Sequence, residues 1–86
     1  ARAKTIEHEV SFTMRMDDIM VDGQIDLFFE TDEGYEIVDF KTDRAMHAAR
    51  YREQLALYAQ ALSAARGKPV THCWLYWLRF AKAEEV

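Results

Sequence analysis

The sequence predicts one mixed domain of the α/β (α+β) class: an antiparallel meander, one long helix and a returning strand, in the order β-β-β-α-β. Three observations predict it. Apolar and polar residues alternate from Ile6 to about Thr42, the spacing becomes helical after Asp43, and an apolar, aromatic run from Val70 to Phe80 follows.

The first strand is read over Ile6–Met16. Its even positions are Ile6, His8, Val10, Phe12, Met14 and Met16, and its odd ones are Glu7, Glu9, Ser11, Thr13 and Arg15. Such alternation fits a half-buried strand. Asp17-Asp18 makes a turn, after which Ile19, Val21, Ile25, Leu27 and Phe29 alternate with Met20, Asp22, Gln24, Asp26 and Glu30. Thr31-Asp32-Glu33-Gly34 reads as a four-residue loop with glycine available for positive φ, and Tyr35–Thr42 as the third strand.

From about Met46 to Arg66 the chain is alanine-rich and free of Gly and Pro. Tyr51, Leu55, Tyr58 and Leu62 stand four, three and four residues apart, the stripe of an amphipathic helix. Gly67 ends it and Pro69 prevents its continuation. Val70–Phe80 is the fourth strand, apolar on both faces around Cys73–Leu78 as a central position requires.

Composition bounds the function. With 86 residues, half of them hydrophobic, one Pro and three Gly, residues 1–86 read as a single folded domain. One cysteine cannot make an internal disulfide or a thiolate metal cluster, which fits a reducing, cytoplasmic setting. The longest apolar stretch is too short to span a bilayer, so no membrane partner is expected. Net charge is −4, but unevenly placed: residues 1–40 carry 3 basic and 11 acidic side chains, and residues 41–68 carry 6 basic and 2 acidic. Carboxylates that recruit divalent cations, beside a basic segment that meets phosphates, produce this pattern; so do two ordinary solvated faces.

The chemistry lies in two acidic strands, Gly23-Gln24-Ile25-Asp26-Leu27 and Ile37-Val38-Asp39-Phe40-Lys41-Thr42. An aspartate among Ile, Val and Phe loses hydration and persists as a charge only with a partner cation. Asp39 and Lys41 are two apart, so they project from one face roughly 7 Å apart. Asp26 lies on the neighbouring strand, whose spacing of about 5 Å lets its carboxylate converge on that of Asp39. Two hard oxygen ligands suit Mg²⁺ or Mn²⁺, with the Phe40 backbone carbonyl as a third. Lys41 beside such an ion can orient water and offset charge at a phosphodiester. The bland alternative is a plain salt bridge. Gln54 and Tyr58, one helical turn apart, add an amide and a phenol on one face.

Taken in order, Gly23-x-Ile25-Asp26, Asp39-x-Lys41-Thr42 and Gln54-x-x-x-Tyr58 resemble the PD-(D/E)xK nuclease superfamily, within it the RecB-like nuclease domains, and especially the C-terminal nuclease domain of AddA-type helicase–nuclease subunits. The resemblance covers about residues 19–80. It implies a restriction-endonuclease-like core, with Asp26 and Asp39 as metal ligands, Lys41 as the catalytic lysine and Gln54 with Tyr58 as the helix motif. It implies a Mg²⁺- or Mn²⁺-dependent deoxyribonuclease, exonuclease rather than endonuclease, acting in DNA repair. Its partners would be single-stranded DNA, helicase domains of the same parent chain and a partner subunit.

The chain departs from this pattern by opening directly on the first strand. The family's preceding helix, which often carries a further His or Glu near the metal, is not there; His8 and Glu7 are substitutes only by position. A fragment of a larger helicase–nuclease is therefore expected, with one sheet face underprotected. Self-association follows, as a homodimer or by exchange of an element, and a light-scattering mass equal to one chain would refute it. Arg44, Arg50 and Arg52 are the candidate DNA contacts, while Trp74, Tyr76 and Trp77 are read as core rather than base-stacking residues. The alternative function is a non-catalytic, nuclease-like binding or scaffolding domain, inactive as an isolated fragment. Retention of Asp26, Asp39 and Lys41 together speaks against it.

Overall fold

The computed structural model describes residues 4–86. Five strands form one sheet in the order β1-β2-β3-β4-β5: β1 Thr5–Met16, β2 Ile19–Thr31, β3 Gly34–Lys41, β4 Val70–Trp77 and β5 Lys82–Glu85. A 3₁₀ turn, Ala48–Tyr51, leads into the helix α1, Arg52–Arg66, between β3 and β4. The first three strands are the expected antiparallel meander; β4 runs parallel to β3 after the helical crossover, and β5 returns antiparallel to β4.

The helix lays Leu55 and Leu62 onto one face of the sheet, where they meet Ile25, Phe28, Ile37, Leu75 and Trp77. Its predicted stripe is therefore the packing face. It begins later than expected, at Arg52 rather than Met46. No side chain caps its N-terminus, and without a cap the leading turn tightens to 3₁₀. The C-terminus ends as predicted: Gly67 takes φ 75 and donates its N–H to the Ser63 carbonyl at 2.9 Å. A bidentate ion pair from Arg66 to Glu7 fastens this end to β1, and Lys68 pairs with Glu30 on β2.

Strict alternation fails in the first hairpin. Glu9 has φ 52, and the register passes from His8 opposite Leu27 to Val10 opposite Ile25 without pairing it. A left-handed residue changes the direction in which a strand presents its side chains. Glu7 accordingly reaches the helix through Arg66, yet Val10 and Phe12 also pack on the helical side. On β2 the same phase change puts both Ile25 and Phe28 in the core, three residues apart. Phe28, fully buried, replaces the expected Leu27 and Phe29. Ile6, expected on a buried face, is 57% exposed.

Two boundaries also differ. The β2–β3 connection is a two-residue turn, Asp32-Glu33, tightened by the Glu33 N–H on Thr31 Oγ1 at 3.2 Å, with Gly34 opening β3 at φ 148. The fourth strand stops at Trp77, three residues short of Phe80, and β5 was not foreseen. Leu78, Arg79 and Phe80 look like more strand, but the Phe80 N–H bonds the Trp77 carbonyl at 3.1 Å and Ala81 takes φ 50. A turn made without Gly or Pro leaves no compositional mark. The sheet face away from α1 presents Phe29, Val38, Trp74 and Tyr76, with no helix against it among the described residues.

Candidate active site

The β2–β3 ladder ends at Leu27 opposite Val38, and one further step in the same register sets Asp26 against Asp39. The strands part there. The Phe40 N–H, beyond the last paired residue, donates to Asp26 Oδ2 at 2.9 Å. An unpaired strand N–H thus finds its acceptor in a side chain, and that bond aims the Asp26 carboxylate at β3.

Asp39 is 5% exposed, beneath the start of the helix. Lys41 Nζ stands 2.8 Å from Asp39 Oδ2, an ion pair that leaves the buried carboxylate with lone pairs still to offer. Burial pushes the Asp39 carboxyl above its ordinary value; Lys41 pulls it partly back, and the adjoining Asp26 carboxylate adds to the rise. Burial alone would lower Lys41, but the Asp39 carboxylate outweighs it and holds the ammonium above its ordinary value.

The Lys41 ammonium also lies 4.0 Å from the centre of the Tyr51 ring. Tyr51 donates its hydroxyl to Asp43 Oδ2 at 2.5 Å, a bond that keeps the phenol protonated and pushes its pKa up. Further along α1, Gln54 Nε2 donates to the Tyr58 hydroxyl at 3.0 Å, which leaves Gln54 Oε1 buried without a partner. The Tyr58 ring packs edge-on against Phe12 at 5.3 Å.

Gly23 is where these side chains close over β2. A Cβ there would stand 2.6 Å from the Phe12 ring and 3.0 Å from that of Tyr58. Gly23→Ala is therefore expected to push both rings aside and lower stability by about 2 kcal/mol. A urea titration in which the variant unfolds with the wild type would contradict this.

Asp26, Asp39 and Lys41 are brought together as the sequence suggested, though by the register at a ladder end and not by a shared polar face. Asp22 bonds Thr13 on the exposed side, away from them. Gln54 and Tyr58 share one helix face and bond each other. Phe40 engages the site through its N–H, while its ring meets Tyr76. Arg44, Arg50 and Arg52 are all exposed near the helix start. His8 does not join the site: it pairs with Leu27, itself opposite Val38, on the sheet face away from Asp39. Glu7 is held at the far end of the helix by Arg66. Tyr51 and Asp43 were missed as site neighbours. The signal for Tyr51 was present, since it precedes Gln54 and Tyr58 at helical spacing, but its aromatic character fitted the core equally well.

A protein-family model for the PD-(D/E)XK nuclease superfamily matches residues 1–85. The chain belongs to that superfamily. PD-(D/E)XK relatives include an ATP-dependent helicase/nuclease protein of Lacticaseibacillus casei, 34% identical over 97 residues, with 92% of this chain covered. Its namesake in Anoxybacillus flavithermus is 36% identical over 87 residues, with 87% covered, and that of Bacillus cytotoxicus 33% over 102, also with 87% covered. The chain spans only 7–8% of the length of these curated relatives.

PD-(D/E)XK nucleases generally use divalent metals. Here the Asp26 and Asp39 carboxylates lie side by side; among the described residues no group of three or more His, Cys, Asp or Glu could hold an ion. The donor set fits a hard cation that retains waters, and the buried Asp39 carboxylate, paired with Lys41, has lone pairs left to offer such an ion.

Proposed function

We propose that residues 1–86 are the metal-dependent, phosphodiester-cleaving domain of a longer DNA helicase–nuclease, exonucleolytic on single-stranded DNA, cytoplasmic, and loaded with Mg²⁺ or Mn²⁺. The observation that carries the reading is the buried Asp39 carboxylate, beside the Asp26 carboxylate and paired with the Lys41 ammonium. The relatives' name, ATP-dependent helicase/nuclease, supports helicase domains in the same protein and a nucleic acid as the substrate. No helix among the described residues is long and apolar enough to cross a membrane.

Asp26 and Asp39 would hold the ion, with the Phe40 carbonyl as a third ligand. A divalent cation bound there neutralises phosphate charge and lowers the pKa of water. The chain's own groups do the rest. Phe40 N–H keeps Asp26 turned toward the site. Lys41, charged throughout the neutral range, meets negative charge gathering on the phosphoryl oxygens. Gln54 Oε1, buried and without a partner among the described residues, offers an acceptor to an ordered water. Arg44, Arg50 and Arg52, exposed near the helix start, would hold DNA through its backbone.

The test is cleavage of labelled single-stranded DNA by the longest protein that carries this chain, with Mg²⁺ or Mn²⁺. Asp39→Ala and Lys41→Ala are each expected to lower the rate by at least about a hundredfold. Wild-type rates in both variants would defeat the assignment.

A further inference from the structure

We propose that Tyr51 is a positioning residue for Lys41, its ring serving as a platform that holds the ammonium in place when Asp39 is engaged by a cation. This rests on the catalytic reading of Lys41 given above. A lysine ends in a flexible four-carbon stem and loses considerable rotamer freedom when fixed. Lys41 has two anchors, Asp39 Oδ2 at 2.8 Å and the face of Tyr51 at 4.0 Å. The first is shared: charge that Asp39 donates to a metal is withdrawn from the ion pair. The second is not, because attraction to the ring face draws on no atom that the metal uses.

The ring is itself fixed from two sides. Its hydroxyl is tied to Asp43, two residues beyond Lys41, so the strand exit holds both the cation and the far edge of the platform. Trp77, opposite Lys41 in the β3–β4 register, lies against it with ring centroids 6.2 Å apart. Trp77 is fully buried, and its Nε1 donates to Glu84 Oε1 of β5 at 3.0 Å. The fifth strand thus braces the tryptophan that packs against the tyrosine.

The experiment combines a spectroscopic readout with kinetics. A ring at this distance displaces the proton resonances at the end of the Lys41 side chain upfield, readable by carbon–proton correlation in the metal-free chain. The displacement is expected to persist in Tyr51→Phe and to vanish in Tyr51→Leu. In the Mn²⁺-loaded protein, Tyr51→Leu is expected to lower turnover roughly tenfold with Mn²⁺ affinity unchanged, and Tyr51→Phe to restore most of it. The Leu change is expected to have no further effect on a Lys41→Ala background. Lys41 resonances at the free-lysine position in the wild type overturn the platform, as does wild-type turnover in Tyr51→Leu. Turnover unaffected by Lys41→Ala overturns instead the catalytic reading beneath it, a separate result.

Discussion

Trp77→Ala is expected to lower the unfolding free energy by about 4 kcal/mol, the largest effect of any single truncation in the core. Trp77 is the largest of the fully buried side chains. Its removal forfeits the transfer of a whole indole and leaves a cavity that the sheet, pinned between β3 and β5, cannot collapse to fill. It also takes away the donor that satisfies Glu84 and the surface that packs against Tyr51. A domain of this size has a stability of only about 5–10 kcal/mol, so the variant should be largely unfolded at modest urea. Trp74→Ala is the control. Trp74 is half-buried on the sheet face away from the helix, so its loss should cost about 1–2 kcal/mol. Equal midpoint shifts for the two variants would show that this division of the tryptophans is mistaken.

Asp39→Asn is expected to abolish divalent-metal binding while leaving the metal-free fold intact. Removing one of two carboxylates should weaken Mn²⁺ by at least about a hundredfold, measured by calorimetry. Metal-free stability should change by less than about 1 kcal/mol, because two effects oppose. Lys41 loses its ion pair, but the cost of burying an ionised carboxylate beside Asp26 disappears as well. Mn²⁺ should accordingly raise the melting temperature of the wild type and not of the variant.

The pH dependence has a defined sign. The folded-state pKa of Asp39 lies above its ordinary 3.8, so protons compete with the metal for it sooner than for a free carboxylate. Wild-type affinity should begin to fall while pH is still above the usual carboxylate range. For the metal-free fold, ionisation of a raised group opposes folding. Asp39 therefore subtracts stability above its folded pKa and ceases to do so as pH falls through that value toward 3.8. Melting curves in which the variant and the wild type share one pH profile would rule this out.

The strands, the helix and the proximity of Asp26, Asp39 and Lys41 could be read from the sequence because each rests on a short period or spacing. Asp39 and Lys41 share a face whatever the register, and Leu55 and Leu62 share one whatever the helix packs against. What could not be read depended on a single backbone angle. Glu9 at φ 52 shifts the alternation in the first hairpin, so that Phe28 lies in the core and Ile6 in solvent. Ala81 at φ 50 hides a turn, and with it β5. Neither residue type announces a left-handed conformation. Tyr51 was legible as a helix-face residue but not as the partner of Lys41, because that contact runs between the strand exit and the helix start and has no sequence period at all.

The ladder that stops at Leu27 and Val38 makes the Asp32-Glu33 turn a length gauge for the site. In an antiparallel hairpin, the number of residues in the turn fixes which side chain on one strand meets a given side chain on the other. With two residues in the turn, Asp39 finds Asp26. With one more or one fewer, absorbed by the ladder, the residue opposite it would be Leu27 or Ile25, and the carboxylate pair would be replaced by an aspartate facing an aliphatic side chain. The meeting of the two carboxylates is thus specified as much by the count of residues in a solvent-exposed turn as by the acidic residues themselves.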